Sequence, residues 1–365
     1  DKGYETFLLA AEASRWIENR DIEKPFFLYM PFIAPHTPLE APEDLLIKYA
    51  NLKDLRKPTR SASTDRIRSL SMTPSARPIY AAVVDALDQA IGQVLATLES
   101  EGIDEETIIL FSSDNGGATY GGGGGDNYPL RGGKGETYEG GIKVIAALRW
   151  KGHIAPQTNF SSIMTMMDVF PTLAGATNIP MMNTKKIWGR DMWSAIHGSE
   201  TIPLTKEVFF ASETPNYGQF HTTVFNEQWK LVQVISSYLM EVNVNNQLFN
   251  IDDDPNEYNN LAADYPKLVE LMAGKIRKWR ALHPISGIRA QLVPPPGWRA
   301  PKDWTSYTIP INELQDDASL GFGAHAHQIL DYLIKDHGRI IYDCKPTDWE
   351  RGKCKAPEKP HKHQH

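Results

Sequence analysis

The stretch IILFSSDNGGATYGGGGGDNYPLRGGKGETYEGG, residues 108–141, decides how this chain reads. An apolar, β-prone run over 107–111 stops at the polar turn Ser112-Ser113-Asp114-Asn115-Gly116-Gly117. A glycine tract follows and ends in the basic turn Arg131-Gly132-Gly133-Lys134-Gly135. A strand that delivers an acid and an amide at its C-terminal end matches the place where open α/β sheets hold ligands. Asp114 and Asn115 offer a carboxylate and an amide carbonyl, hard oxygen donors suited to calcium or magnesium and not to a soft metal. Lys134, set between glycines that allow close backbone approach, is a candidate anion clamp. A nucleotide-binding P-loop is excluded, because Tyr128 stands where that pattern needs its first glycine and Gly135 follows the lysine in place of Ser or Thr.

The flanking sequence supports an α/β winding. Residues 75–100 form a helical pattern with Ile79, Val83, Leu87, Ile91, Val94 and Leu98 on one stripe, ended by Gly102 just before the ligand-bearing strand. Upstream, 6–20 is helical with Phe7, Ala10, Ser14 and Ile17 inward, and 26–30 is an apolar strand candidate. The turn Ala34-Pro35-His36-Thr37-Pro38 is locked extended by its prolines and carries His36 at its tip. Residues 42–50 predict a short helix, and the polar stretch 51–71 reads as a surface excursion.

Downstream, 142–148 predicts a strand and 164–176 a helix with Met167, Phe170, Leu173 and Ala174 inward, in which Asp168 is a capping or hydrogen-bonding group. From 208 the texture changes to short strands over 208–211, 222–225, 229–234, 238–242 and 247–251, the spacing of an antiparallel sheet. A helix follows, capped by Asp264, with Pro266 in its first turn and Leu268, Met272, Ile276 and Trp279 as its apolar stripe. The expected organisation is an α/β domain over 1–204, a small antiparallel sheet-plus-helix domain over 205–285, and an irregular Pro-rich tail over 286–365.

Composition narrows the function. The 365 residues carry a formal charge of −7 and no long Lys/Arg block, against a nucleic-acid binder, and no apolar run approaches the ~18 residues of a membrane span. Cys344 and Cys354 lie in a Pro/Lys-rich tail. They are read as a disulfide that closes a short loop worth roughly 2–3 kcal/mol, two free thiols being the alternative that spacing leaves open. Asn159-Phe160-Ser161 is a glycosylation sequon. Together these favour a secreted or lysosomal protein. The chain enters at Asp1 on helix-like sequence and reads as a processed or partial chain.

In combination, these motifs resemble the sulfatase family, specifically arylsulfatases of the B type. The Pro-His-Thr-Pro turn at His36, the Asp114-Asn115 turn, Leu130 through Gly135 and Glu139-Gly140-Gly141 occur in that family's order and spacing. Lys24-Pro25-Phe26-Phe27-Leu28-Tyr29, Gln247-Leu248-Phe249-Asn250-Ile251, Asp254-Pro255 and Asn259-Asn260-Leu261 add matching texture. The resemblance covers about residues 5 to 282 and implies an alkaline-phosphatase-like α/β sandwich, partial here, with helices on a mostly parallel sheet. It implies that His36 and Lys134 contact the substrate sulfate and that Asp114 and Asn115 bind calcium. The expected activity is sulfuric ester hydrolysis on sulfated glycans or aryl sulfates.

The family's nucleophile is a formylglycine made from the first residue of Cys-x-Pro-Ser-Arg, in a segment that this sequence does not contain. Met72-Thr73-Pro74-Ser75-Ala76-Arg77 is a coincidental likeness, with methionine at the convertible position. Two readings follow. One is the C-terminal portion of a sulfatase whose formylglycine lies on an N-terminal fragment or companion chain, so that this chain alone is inactive. The other is a non-catalytic sulfatase-like glycan-binding or structural extracellular protein. Asp114 and Asn115 supply at most about three oxygens, whereas calcium takes about six to eight, so the loop reads as half of a site.

Overall fold

A computed structural model of the chain describes residues 3–61, 75–119, 123–181, 187–198, 207–214, 219–238 and 241–282. Cys344, Cys354, the expected tail and Met72 through Pro74 lie outside the described residues. The chain divides into two compact units, one of Asp1–Lys134 with Tyr138–Glu207 and one of Gly135–Thr137 with Val208–His365.

The first unit contains α1 (Glu5–Glu18), α2 (Glu43–Tyr49), α3 (Arg77–Ser100), β1 (Ile109–Ser112), α4 (Glu139–Ile142), β2 (Ala146–Arg149), α5 (Met166–Ala176) and α6 (Trp193–Gly198). Helices α1 and α2 both pack on α3. The face of α3 that this packing buries is Ala82, Val83, Ala86, Ala90, Thr97 and Leu98; of the stripe that periodicity selects, Val83 and Leu98 are therefore buried, Leu87, Ile91 and Val94 are half-buried, and Ile79 is exposed. The reason lies in α1, which buries the small residues Thr6, Ala10, Ala13 and Ser14 besides Ile17. Small faces let two helices approach closely at interior density. The Thr97 hydroxyl then donates to Ser14 Oγ at 2.9 Å across the interface. By length and composition α3 is the one described helix that could cross a membrane, and its alanine face is buried inside the protein.

Strand β1 pairs antiparallel with β2, Ile109 opposite Arg149 and Ser112 opposite Ala146. No parallel pairing occurs among the described residues. The expected strand at 26–30 is extended but unpaired, with Phe27 80 % and Tyr29 75 % exposed. Strand β2 starts later than expected, because 139–142 turns as helix, and Ile145 before it is 78 % exposed. Leu110 and Phe111 of β1 are also exposed. Apolar side chains of this kind on extended backbone are the chemistry of a buried sheet.

In α5, Met167 and Phe170 face outward, contrary to the expected stripe, whereas Pro171, Thr172 and Ala174 are buried. Asp168 sets this rotation. Its carboxylate accepts from the Thr165 backbone N at 2.8 Å at the start of the helix, and from the Arg190 backbone N at 2.7 Å. Arg190 Nη2 pairs with it at 3.0 Å. Burial by itself would raise the Asp168 pKa, but the Arg190 guanidinium and the two backbone donors outweigh it and hold it below the usual carboxylate range.

The second unit is a four-stranded antiparallel meander in the order β3-β4-β5-β6, with strands Val208–Thr214, Gln219–Asn226, Trp229–Tyr238 and Glu241–Asn250. The last two expected segments, 238–242 and 247–251, are largely one strand, β6, which pairs along β5 from Tyr238↔Glu241 to Trp229↔Asn250. Helix α7 (Pro266–Arg280) covers the sheet, and Val224, Leu231 and Leu248 meet Met272, Ala273 and Ile276 in the core. Asp264 is not its cap: the helix starts from Tyr265 without a side-chain cap bond, and Pro266 opens it. Lys230 on β5 and Glu257 in the loop after β6 form an ion pair at 2.8 Å with both side chains fully buried.

Candidate functional site

The loop of residues 113–141 is built on backbone contacts that only glycine permits. Gly116 N donates to Gly141 O at 2.9 Å, and a Cβ at Gly116 would lie 1.8 Å from Gly140 O. This brings the Asp114-Asn115 turn onto the start of α4. Asn127 then ties the loop to itself, accepting from Gly117 N at 2.9 Å while its Nδ2 donates to Gly117 O at 2.9 Å and Gly132 O at 3.2 Å. Lys134 N donates to Gly117 O at 3.1 Å. The two turns singled out in the sequence, 114–115 and 131–135, are thereby held side by side.

Asp114 is exposed, and its carboxylate makes no hydrogen bond or ion pair among the described residues. Asn115 Nδ2 donates to Gly116 O at 2.9 Å, which leaves its Oδ1 as the oxygen available to a ligand. The donors are hard oxygens on one turn, so they fit part of a calcium shell and no more. Among the described residues no group of three or more acidic, histidine or cysteine side chains is placed to complete it.

His36 sits exposed on its proline-bounded turn, with its backbone N bonded to Ile33 O at 2.8 Å. Its Nδ1 lies 2.7 Å from Thr37 O. A carbonyl oxygen only accepts, so Nδ1 carries the proton and Nε2 is the nitrogen left for a ligand. No described hydrogen bond ties His36 to the 113–141 loop. Lys134 is half-buried, Asn159 lies exposed in the 155–161 loop, and both keep accessible side chains.

Sequence reasoning missed the support of the loop. Residues 54–61 are not a surface excursion but a brace. Arg56 Nη1 donates to the carbonyls of Gly123 and Gly125 at 3.3 and 3.1 Å, and Arg77 Nη1 to Gly124 O at 2.7 Å. Gly132 N donates to Thr59 O at 2.9 Å, and Thr59 and Ser61 are buried. Asp54 pairs with Arg56 at 2.7 Å and accepts from Ser75 Oγ at 2.6 Å. The Arg56 bond, with Ser75 and the Arg56 backbone N adding to it, drives the Asp54 pKa far below the usual range despite partial burial. The available signal was the arginine pair Arg56 and Arg60 on either side of Pro58 and opposite a glycine tract whose carbonyls lack side-chain neighbours.

This arrangement defines a class first: an α/β unit that presents an acid-amide turn beside a glycine-bounded lysine. Residues 2–179 match the family model described as Sulfatase. The chain is 29% identical over 289 residues to a sulfatase of Formosa agariphila, across 72% of this chain and 48% of that protein. It is 25% identical to arylsulfatase J of Mus musculus, across 76% and 48%, and 31% identical to steryl-sulfatase of Rattus norvegicus, across 52% and 29%. The chain thus spans about half the length of the first of these relatives, or less. Among solved structures it resembles Ps i-CgsB in complex with k-i-k-neocarrahexaose, with TM-score 0.62, 26% identity, and 80% and 60% of the two chains covered. BT4656 in complex with D-glucosamine-2-N,6-O-disulfate matches in fold, with TM-score 0.59, 18% identity, and 77% and 70% covered. The fold is the alkaline-phosphatase-like α/β sandwich in partial form, followed by the antiparallel sheet-plus-helix unit.

Proposed function

We propose that this chain is the C-terminal part of a sulfuric ester hydrolase, of arylsulfatase type, that acts on sulfated glycans. The observation that carries the reading is the joining of the Asp114-Asn115 turn to the Lys134 turn by Asn127 and Gly117, inside the segment that matches the sulfatase family. Residues 1–204 are then part of the catalytic domain and 205–285 its small companion domain. The neighbours bound to sulfated sugars, Ps i-CgsB and BT4656, support glycans as the substrate class.

In this reading Asp114 and the Asn115 Oδ1 hold calcium, which supplies positive charge against a sulfate ester. Lys134 presents three ammonium donors to the sulfate oxygens, and His36 meets them as an N–H donor at Nε2. These groups bind, orient and neutralise; the bond-breaking nucleophile is not among them. No residue of this chain fits formylglycine. Cys344-Lys345-Pro346-Thr347-Asp348 keeps the Cys-x-Pro spacing but lacks the serine and arginine. The exposed Phe27, Tyr29, Leu110, Phe111 and Ile145 mark where further strands of the sandwich would pack, which favours a site completed by an N-terminal sulfatase segment or companion chain. Secreted or lysosomal placement, with glycosylation at Asn159, belongs to the same proposal.

The test is calorimetric binding of inorganic sulfate to the purified chain in calcium, with Lys134→Ala and Asp114→Asn beside it. Loss of binding in Lys134→Ala supports the reading; wild-type binding that Lys134→Ala leaves intact overturns it. The missing nucleophile favours a second reading, a non-catalytic glycan-binding protein. Intact-mass measurement of the natural material separates them: a co-purifying fragment containing formylglycine decides for the enzyme.

A further inference from the structure

The cations of the second unit are segregated. Between 208 and 282 every lysine and arginine except the buried Lys230 stands on α7: Lys267, Lys275, Arg277, Lys278 and Arg280, with Glu270 as the helix's single acid. Asp252, Asp253, Asp254 and Asp264 lie in the loop between β6 and α7. Met272, Ala273 and Ile276 face the sheet, and Lys267, Leu271, Arg277 and Lys278 are exposed. Lys267 and Lys278 are eleven residues apart, so they end one line about 16 Å long on the helix surface, with Leu271 and Gly274 between them. Lys275 donates to Asn226 Oδ1 at 3.3 Å, whereas the side chains of Lys267, Arg277 and Lys278 make no hydrogen bond or ion pair among the described residues.

Two features of this line work against the helix that carries it. Cations in the last turn are favoured by the helix macrodipole, but Lys267 sits in the first turn, at the positive end, with no acid there to offset it. Gly274 lowers helix propensity relative to alanine, and packing does not demand it: the only atom within 4 Å of an added Cβ is Arg277 Nη2, at 3.6 Å. Local rules broken with no structural return mark a functional surface. We propose that the outer face of α7 is a docking surface for an acidic polysaccharide, whose sulfates or carboxylates pair with Lys267, Arg277 and Lys278 while a sugar ring lies over Gly274 against Leu271. Charge complementarity selects the partner, since a linear polyanion meets a line of free cations on a chain whose formal charge is −7. A lipid surface is disfavoured, because the apolar face of α7 is buried against the sheet. Docking here retains a polymeric substrate on the protein between encounters with the hydrolytic site. The choice of a glycan rests on the proposed substrate class; the surface itself is read from the second unit alone.

The test is calorimetric binding of sulfated dextran to the full chain at fixed ionic strength, with uncharged dextran as the blank. Lys267→Gln with Lys278→Gln is expected to weaken binding roughly tenfold or more. Lys53→Gln with Lys143→Gln removes the same charge from exposed positions on the first unit and should change it by less than about threefold. Gly274→Ala should raise the urea midpoint and weaken binding, opposite shifts that a purely structural glycine does not give. Far-ultraviolet circular dichroism verifies that the variants fold, and Lys278→Gln alone, at an exposed position, repeats the comparison if the double variant does not. Equal losses from the two lysine pairs, no loss from the α7 pair, or tighter binding to phosphatidylserine vesicles than to sulfated dextran overturn the docking surface. Inorganic sulfate binding that still depends on Lys134 then leaves the hydrolase reading standing. Loss of that dependence with the α7 effect intact overturns the hydrolase reading and not the docking surface.

Discussion

Asn127 and Gly117 are bonded in both directions: Gly117 N donates to Asn127 Oδ1 and Asn127 Nδ2 donates back to Gly117 O, each at 2.9 Å. Gly117 O also accepts from Lys134 N. Asn127→Ala leaves these half-buried backbone groups short of a partner, which costs about 1–3 kcal/mol. The expected result is a lower urea midpoint together with weaker sulfate binding, since the Lys134 turn loses its anchor. An unchanged midpoint would show that the loop closes without the asparagine.

Two glycines should respond in opposite senses. Gly116→Ala drives a methyl into the Gly140 carbonyl, 1.8 Å away, so the backbone must move and about 2–3 kcal/mol is lost. Gly92 lies inside α3, where an added methyl would meet nothing within 4 Å, so Gly92→Ala gains roughly 1 kcal/mol from helix propensity. Chemical denaturation of both variants measures the difference in sign.

Asp54 and Asp168 both have pKa values held below the ordinary 3.8, Asp54 by Arg56 above all, and Asp168 by Arg190 and backbone donors against the opposing effect of burial. A depressed folded-state pKa contributes stability that is complete above the unfolded value and is lost as pH falls through the folded one. Urea midpoints should therefore fall as pH drops below about 4. Asp54→Asn should flatten that decline, and a parallel decline in the variant would assign the acid sensitivity elsewhere.

The fully buried pair Lys230–Glu257 gives a double-mutant test. Lys230→Met strands a buried carboxylate and should cost roughly 3–5 kcal/mol, whereas Lys230→Met with Glu257→Leu should recover much of that loss. Thermal unfolding of wild type, Lys230→Met, Glu257→Leu and the double variant shows whether the pair acts as a unit; additive losses would mean it does not.

His36 bonds Thr37 O through Nδ1, which leaves Nε2 as the nitrogen that can reach an anion. His36→Ala should therefore weaken sulfate binding roughly tenfold, which calorimetry measures. Unchanged affinity would mean that His36 does not meet the anion.

Much of this was legible in the chain. The stop of an apolar run at Ser112-Ser113-Asp114-Asn115, the glycines around Lys134 and the proline-bounded His36 are local signals, because backbone freedom and donor chemistry are properties of single residues and their neighbours. The antiparallel texture after 208 was readable for the same reason, since alternation repeats every second residue. The merging of two short segments into β6 was not, because a polar run such as Asn243 through Asn246 looks like a turn until β5 pairs with it.

What only the tertiary structure decided is everything that depends on a partner distant in sequence. Helix periodicity named the large residues of α3, of which Val83 and Leu98 are buried, but α1 arrived with alanines and added the small face of Ala82, Ala86 and Ala90 to them. Met167 and Phe170 turned outward because Arg190 took hold of Asp168 from 22 positions away. Residues 54–61 read as solvent-facing because their arginines are charged; their role appeared only when the carbonyls of Gly123, Gly124 and Gly125 and the amide of Gly132 came within reach. The sequence by itself determined which residues carry hard oxygens and cationic donors. Packing determined which of them stand together, because a side chain's type sets what it can bind and only the folded chain sets what lies beside it.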